Sequence, residues 1–149
     1  MSLAARRTVD QLHASDRQFL DAFERCEIPA AEFRHRDHVR LAYIYLTLHD
    51  VDSALSTMRA GLHRFLAHVG APASKYHETI TRAWLRAVEH FIHTAGPTRS
   101  FEQFAASAPQ LFEAGAMETH YTRELLRSEE ARERFVEPDL QPIPRHRAE

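Results

Sequence analysis

Histidine is the residue type this sequence supplies most freely for chemistry: eleven in 149 residues, against one cysteine. A neutral imidazole binds a metal or accepts a proton near pH 7. In Phe33-Arg-His35-Arg-Asp-His38 two of them stand three positions apart. On a helix that spacing sets the Cβ atoms about 5–6 Å apart on one face, which suits two ligands of one ion. His77, in Tyr76-His77-Glu78-Thr79, is expected in the first turn of a later helix, and His120 opens the C-terminal segment in Thr119-His120-Tyr121. The positive end of a helix disfavours the imidazolium and keeps such rings neutral.

Helical bundles draw metal ligands from facing helices. His35, His38, His77 and His120 are therefore the candidate ligands of a divalent transition metal, and imidazole suits zinc, copper, iron or nickel alike. An open coordination position would make the ion a Lewis acid or a source of hydroxide. Glu78 is the candidate base, Tyr76 and Tyr121 would orient a substrate, Arg34 would hold an anionic group, and Trp84 would wall a pocket. Glu78 follows His77 directly and so points about 100° away from it, which favours a supporting position over one on the same ion.

Structural roles compete at each of these positions. His35 can cap its helix, His38 can be a core histidine bonded to a carbonyl, and Glu78 has an i+4 partner in Arg82. Arg34, Arg36 and Arg40 read as a solvated charged face as readily as an anion site. His90 and His93 fall near a helix end, where cations complement the dipole, and His63 and His68 flank an apolar stripe and should be exposed. His49-Asp50 has the paired residues of HD-domain phosphohydrolases without their companions, and a helix end followed by an Asp cap explains it. Cys26 closes an apolar stripe and reads as a buried thiol.

These side chains must be positioned by helices. Phe19, Leu20, Phe23 and Cys26 recur at helical spacing over Ser15 to Cys26, with Ser15 and Gln18 forming a capping box and Pro29 beyond the end. His38, Leu41, Ala42, Tyr45 and Leu48 form the face of a second helix. Asp50 or Asp52 caps a third, with Leu55, Met58, Leu62, Phe65, Leu66 and Val69 on one stripe before Gly70 and Pro72. Ser74 is the expected cap of a fourth, whose buried face is Tyr76, Ile80, Ala83, Trp84, Ala87, Val88 and Phe91. Pieces shorten after Gly96-Pro97: Phe101 to Ala106, Pro109 at a first helical position, a turn at Gly115, and Ser128 capping a helix to Phe135. Val136 to Glu149 carries too many prolines for a helix and reads as an extended arm lying on the body. No strand pattern or repeat occurs.

The expectation is therefore an all-α single-domain bundle over 1–149, with its core at about 8–135 and a Pro-rich arm over 136–149. Hydrophobic residues at 44% and charged ones at 27% fit a globular chain. A formal net charge of −2 supplies no global field for nucleic acid. One cysteine allows no internal disulfide, no signal-peptide core follows Met1, and no apolar run is long enough to span a membrane. A cytoplasmic protein is expected.

As a set, Phe33-x-His35-x-x-His38 with Leu41-Ala42-Tyr43, Tyr76-His77-Glu78-Thr79-Ile80-Thr81 with Trp84, His120-Tyr121, and Val136-Glu-Pro-Asp-Leu140 resemble an uncharacterised family of small all-helical bacterial proteins. The likeness runs from Phe33 to Pro144 and implies grouping His35, His38, His77 and His120, without supplying a reaction. DinB-like bundles also gather three histidines for a metal, but their spacing differs and the likeness is one of analogy. Three readings follow: a histidine-ligated metalloprotein acting on a small molecule; a metal-free ligand-binding or acid/base pocket using His35, His38 and His77; and an interaction module, including a homodimer, docking through the arm.

Overall fold

The computed structural model describes residues 6–113 and 115–145. Among these, seven α-helices alternate with short 3-10 turns and no strand occurs. The body consists of α1 (Ala14–Glu24), α2 (His35–Leu48), α3 (Val51–His68) and α4 (Glu78–Ala95), followed by three short helices, α5 (Phe101–Ser107), α6 (Arg123–Arg127) and α7 (Glu129–Glu133). No described helix is long and apolar enough to cross a membrane.

α1 is capped by an imidazole rather than by Ser15: His13 Nδ1 accepts the Ser15 N–H at 3.2 Å. The helix stops short of Cys26, whose φ of 58° places it in the left-handed region. Phe23 is fully buried, and its ring stacks on Phe33 at 5.5 Å and Phe65 at 5.9 Å. Gly61 of α3 makes that approach feasible, because a Cβ there would lie 2.8 Å from the Phe23 ring. α3 starts from Asp50, whose carboxylate accepts the Ser53 N–H at 2.8 Å. Its stripe of Leu55, Met58, Leu62 and Phe65 is buried, whereas Val69, beyond the last turn, is exposed.

α4 begins later than its stripe suggests. Pro72 starts a 3-10 turn over Ala73–Lys75, which takes Ser74 out of the capping position and leaves Tyr76 extended, and His77 becomes the N-cap. The helix is buried on two sides, not one. Leu85 and Val88 belong to the main core with α1, α2, α3 and α5, while Ala83 faces a second core with Met117, Tyr121 and Ile143. Trp84 and Ala87 pack against both. Its buried positions include Glu78, Thr79, Thr81, Arg86 and Glu89 beside the apolar ones, so burial extends past the stripe that a one-face reading picks out.

α2 and α4 run in the same direction: His35 at the start of α2 meets Trp84, with ring centroids 4.5 Å apart, and Tyr43 further on bonds Thr98 past the end of α4. They are staggered as well. His35 lies level with Trp84, seven residues and roughly 10 Å of helix beyond His77 at about 1.5 Å per residue.

From Arg134 to Arg145 the chain has no helix and lies on the body. Ile143 is buried, Val136 packs against the second core, and Leu140 is half exposed. Its sequence motif is spent on docking: the Val136 carbonyl accepts the Tyr121 hydroxyl at 2.6 Å, Glu137 pairs with Arg86 at 3.2 Å, and Asp139 accepts the Thr122 N–H at 2.9 Å and hydroxyl at 2.7 Å. Residues 146–149 of the expected arm lie outside the described residues.

Candidate functional site

Residues 76–81 form the joint between α3, α4 and the C-terminal segment. His77 caps α4 by accepting the Ile80 N–H on Nδ1 at 3.1 Å, and its Nε2–H donates to the Leu126 carbonyl at 2.7 Å. That pairing requires the neutral Nε2–H tautomer, and burial indeed lowers the pKa, with the Arg132 charge adding to the effect. Thr79 gives its hydroxyl to the Arg134 carbonyl at 2.9 Å and accepts the Val136 N–H at 3.1 Å. Thr81 returns its hydroxyl to the His77 carbonyl at 2.8 Å.

Glu78 turns the other way, to α3. Its carboxylate accepts Arg59 Nη2 at 2.6 Å and Nε at 2.9 Å, a two-point contact, and also the Tyr76 hydroxyl at 2.7 Å. Burial raises the carboxyl pKa, but the bonds from Arg59 and Tyr76 outweigh it and leave the group below the usual carboxylate range. Tyr76 is pushed up by burial and by its bond to Glu78. The i+4 partner expected for Glu78, Arg82, makes no such bond. Arg59 displaces it because it reaches across from the neighbouring helix, and the Arg82 guanidinium lies instead over the Phe135 ring at 4.7 Å.

The Arg59–Glu78–Tyr76 group opens into a cleft of about 880 Å³ between α3, the start of α4 and the α7 region. His63 stands over Tyr76 with ring centroids 4.5 Å apart. Lys75, Arg82, Arg132 and Phe135 line the remainder. A carboxylate held below its ordinary pKa is a weak base, so the arrangement fits Glu78 to fixing Arg59 and Tyr76 rather than to taking up a proton.

The other candidate residues go to separate partners. His35 Nε2–H donates to the Leu111 carbonyl at 3.1 Å, beside Trp84. His38 packs at a tilt against Phe33, with ring centroids 4.5 Å apart, and burial, reinforced by His35, pushes its pKa down to about 4. His120 Nδ1–H donates to the Gln141 carbonyl at 2.7 Å, in the docked arm. Tyr121 is fully buried and holds Val136, with its pKa pushed up to about 12 mainly by burial. Arg34 is exposed, whereas Arg36 pairs with Glu102 at 2.6 Å and Arg40 with Asp16 at 3.0 Å. Among the described residues, no group of three or more His, Cys, Asp or Glu side chains could hold a metal ion.

Of the candidates, then, Tyr76 and Glu78 share a cleft and the four histidines do not. Arg59, His63, Lys75, Arg82 and Arg132 were not singled out as site residues by sequence reasoning. The available signal was Arg59 and His63 at i and i+4 on α3, one position beyond the buried Met58 and Leu62, so that both edge the apolar stripe. Comparison with protein-family models, with curated proteins and with solved structures finds no match to this chain.

Proposed function

We propose that this protein binds a small molecule in the cleft beside Glu78, without a metal centre built from His35, His38, His77 and His120. The observation that carries this reading is the Arg59–Glu78–Tyr76 group: a carboxylate fixed at three points, opening into a concavity with charged and aromatic walls. Arg59 and Tyr76 are oriented before any ligand arrives, which lowers the ordering cost of binding. The separate engagement of the four imidazoles also supports it, because both nitrogens of His77 are already spent on the cap and on Leu126. The test is a small-molecule library followed by backbone NMR shifts. Hits should move the amides around Arg59, Lys75, Glu78 and Arg82, and hits confined to other surfaces would overturn the reading.

The metalloprotein reading makes a different prediction for the same sample. Untagged protein holding close to one equivalent of zinc, copper, iron or nickel per chain, and losing it in His77→Ala but not in His90→Ala, would replace the proposal. An arm-mediated interaction module would instead reveal itself by a change of solution mass on deleting Val136 to Glu149.

A further inference from the structure

The cleft beside Glu78 carries more positive charge than its own carboxylates neutralise. Arg59 is matched by Glu78, and Arg134 pairs with Glu130 at 3.5 Å. Lys75 and Arg82 make no direct ion pair among the described residues: Lys75 is exposed, and Arg82 rests on Phe135 and acts on Glu78 only through its field. Arg132 donates Nη1 to the Ser74 carbonyl at 2.8 Å, a contact that leaves its charge uncompensated. Opposing these three cations are only Glu129 and Glu133, both exposed. The whole chain has a formal charge of −2, so the local balance is opposite in sign to the global one. Single surface cations are ordinary, but several lining one concavity raise the local concentration of anions.

The number and kind of these cations select among anions. The fork of Arg59 is already filled by Glu78 and one Nη of Arg132 is given to the Ser74 carbonyl, so Arg82 is the cleft arginine that keeps its whole fork for a ligand, with the remaining Arg132 donors beside it. A phosphomonoester carries two charges and three terminal oxygens, which can engage a fork and a point-charge ammonium together. Lys75 and Arg82 supply that combination on either side of Glu78 in the chain. The rings of Tyr76, His63 and Phe135 give the same cleft apolar walls, which suit an organic body attached to the anion.

We infer that the cleft takes a small organic phosphomonoester, its phosphate held by Lys75, Arg82 and Arg132 and its body lying against Tyr76, His63 and Phe135. This inference rests on the small-molecule reading above and narrows it to one chemical class. The probes are phenyl phosphate, inorganic phosphate and benzoate, titrated into the full chain with calorimetry and backbone NMR as readouts. Phenyl phosphate should shift the amides around Lys75 and Arg82 and bind about 10-fold more tightly than either of the others, the worth of one good charged contact. Lys75→Gln should weaken phenyl phosphate about 5-fold or more with an unchanged melting temperature, and Lys75→Arg should restore most of the loss. Arg82→Gln should weaken it similarly, and Arg127→Gln, outside the cleft, should have no effect. Benzoate binding as tightly as phenyl phosphate, or Lys75→Gln and Arg82→Gln both without effect, would overturn the phosphate assignment. If none of the three probes shifts the cleft while library molecules do, this inference fails and the small-molecule reading stands; if nothing shifts it, both fail.

Discussion

Asp16 with Arg40 and Glu78 with Arg59 are the same chemistry in two regions of one molecule. Asp16 is 1% exposed and accepts Arg40 through Nη2 at 3.0 Å and Nε at 3.2 Å, while its second oxygen takes the Phe101 N–H at 2.8 Å. The Arg40 guanidinium lies over the Phe19 ring at 4.6 Å and the Phe101 ring at 5.6 Å. Every group around this pair comes from the fold, and the pair ties α1, α2 and the start of α5 together. Glu78 is equally well bonded, but the Arg59 side chain is 39% exposed and the pair faces a cleft with further cations. The contrast teaches that bond count does not mark a site. What marks it is whether the partners are enclosed by the fold or presented to something outside it.

Breaking the enclosed pair should have the largest effect. Asp16→Ala leaves the part-buried Arg40 without its counter-charge and the buried Phe101 N–H without an acceptor, and removing one partner of a largely enclosed pair costs about 3 kcal/mol. Denaturant unfolding should register that loss. A change below about 1 kcal/mol would mean that solvent reaches Asp16 and that the two pairs do not differ as described.

The arm comes next, because it supports the open pair from the far side of α4. Truncation after Phe135 removes Ile143 from the second core, strips Val136 from Thr79 and leaves the buried Tyr121 hydroxyl without its acceptor. Loss of two such apolar side chains alone is worth about 3 kcal/mol. An unchanged melting temperature would show that the α4 side stands without the arm. A loss accompanied by altered amide shifts at Asp16 and Arg40 would show that the two regions are not independent.

Acid should act through the half-buried imidazoles. The unfolded chain protonates His38 near the ordinary 6.5, the folded one only at about 4, so the stabilising difference is complete above 6.5 and declines as the pH falls through that window. The full decline is about 3 kcal/mol, levelling off below about 4. His77 contributes with the same sign, since burial lowers its pKa too. His38→Gln should flatten the dependence of stability on pH between 6.5 and 4. A slope that survives in His38→Gln and vanishes in His77→Gln would place the sensitive group at the α4 joint instead.

A helix of this chain is legible in the sequence where it has one wet side and a strong stop. α3, with Asp50 before it, a stripe from Leu55 to Phe65 and Gly70 after it, was legible almost to the residue. α4 was less so, because its start is capped by an imidazole, outside the usual capping residues, and because it is buried between two cores. The site divided along the same line. Tyr76 and Glu78 are neighbours in the chain and were found together, whereas Arg59 belongs to another helix and its pairing is a fact of tertiary packing. Grouping the histidines needs the facing helices α2 and α4 to bring them to one ion. Their direction agrees, but the stagger that sets His35 against Trp84 is fixed by side-chain packing that no local pattern encodes.

Glu78→Gln tests the open pair with the least disturbance. Glutamine keeps a carbonyl oxygen to accept the Tyr76 hydroxyl but removes the charge that holds Arg59. Because Arg59 is partly exposed, water replaces much of what it loses, and the cost in stability should be about 1 kcal/mol, well below that of Asp16→Ala. The acid end of the profile should change as well: Glu78 stabilises the fold above the ordinary carboxylate range, and that contribution, lost in the wild type as the pH falls through the lowered folded value, is absent throughout in the variant. Affinity for phenyl phosphate should move in the opposite direction from stability. The substitution removes a negative charge from the cleft and frees the Arg59 fork, so binding should tighten several-fold, more at low salt than at high. A stability loss as large as that of Asp16→Ala would show that the open pair is as structural as the closed one. Weaker phosphate binding would show that Glu78 must hold Arg59 in place for the ligand, and either result would redraw the difference between the two regions.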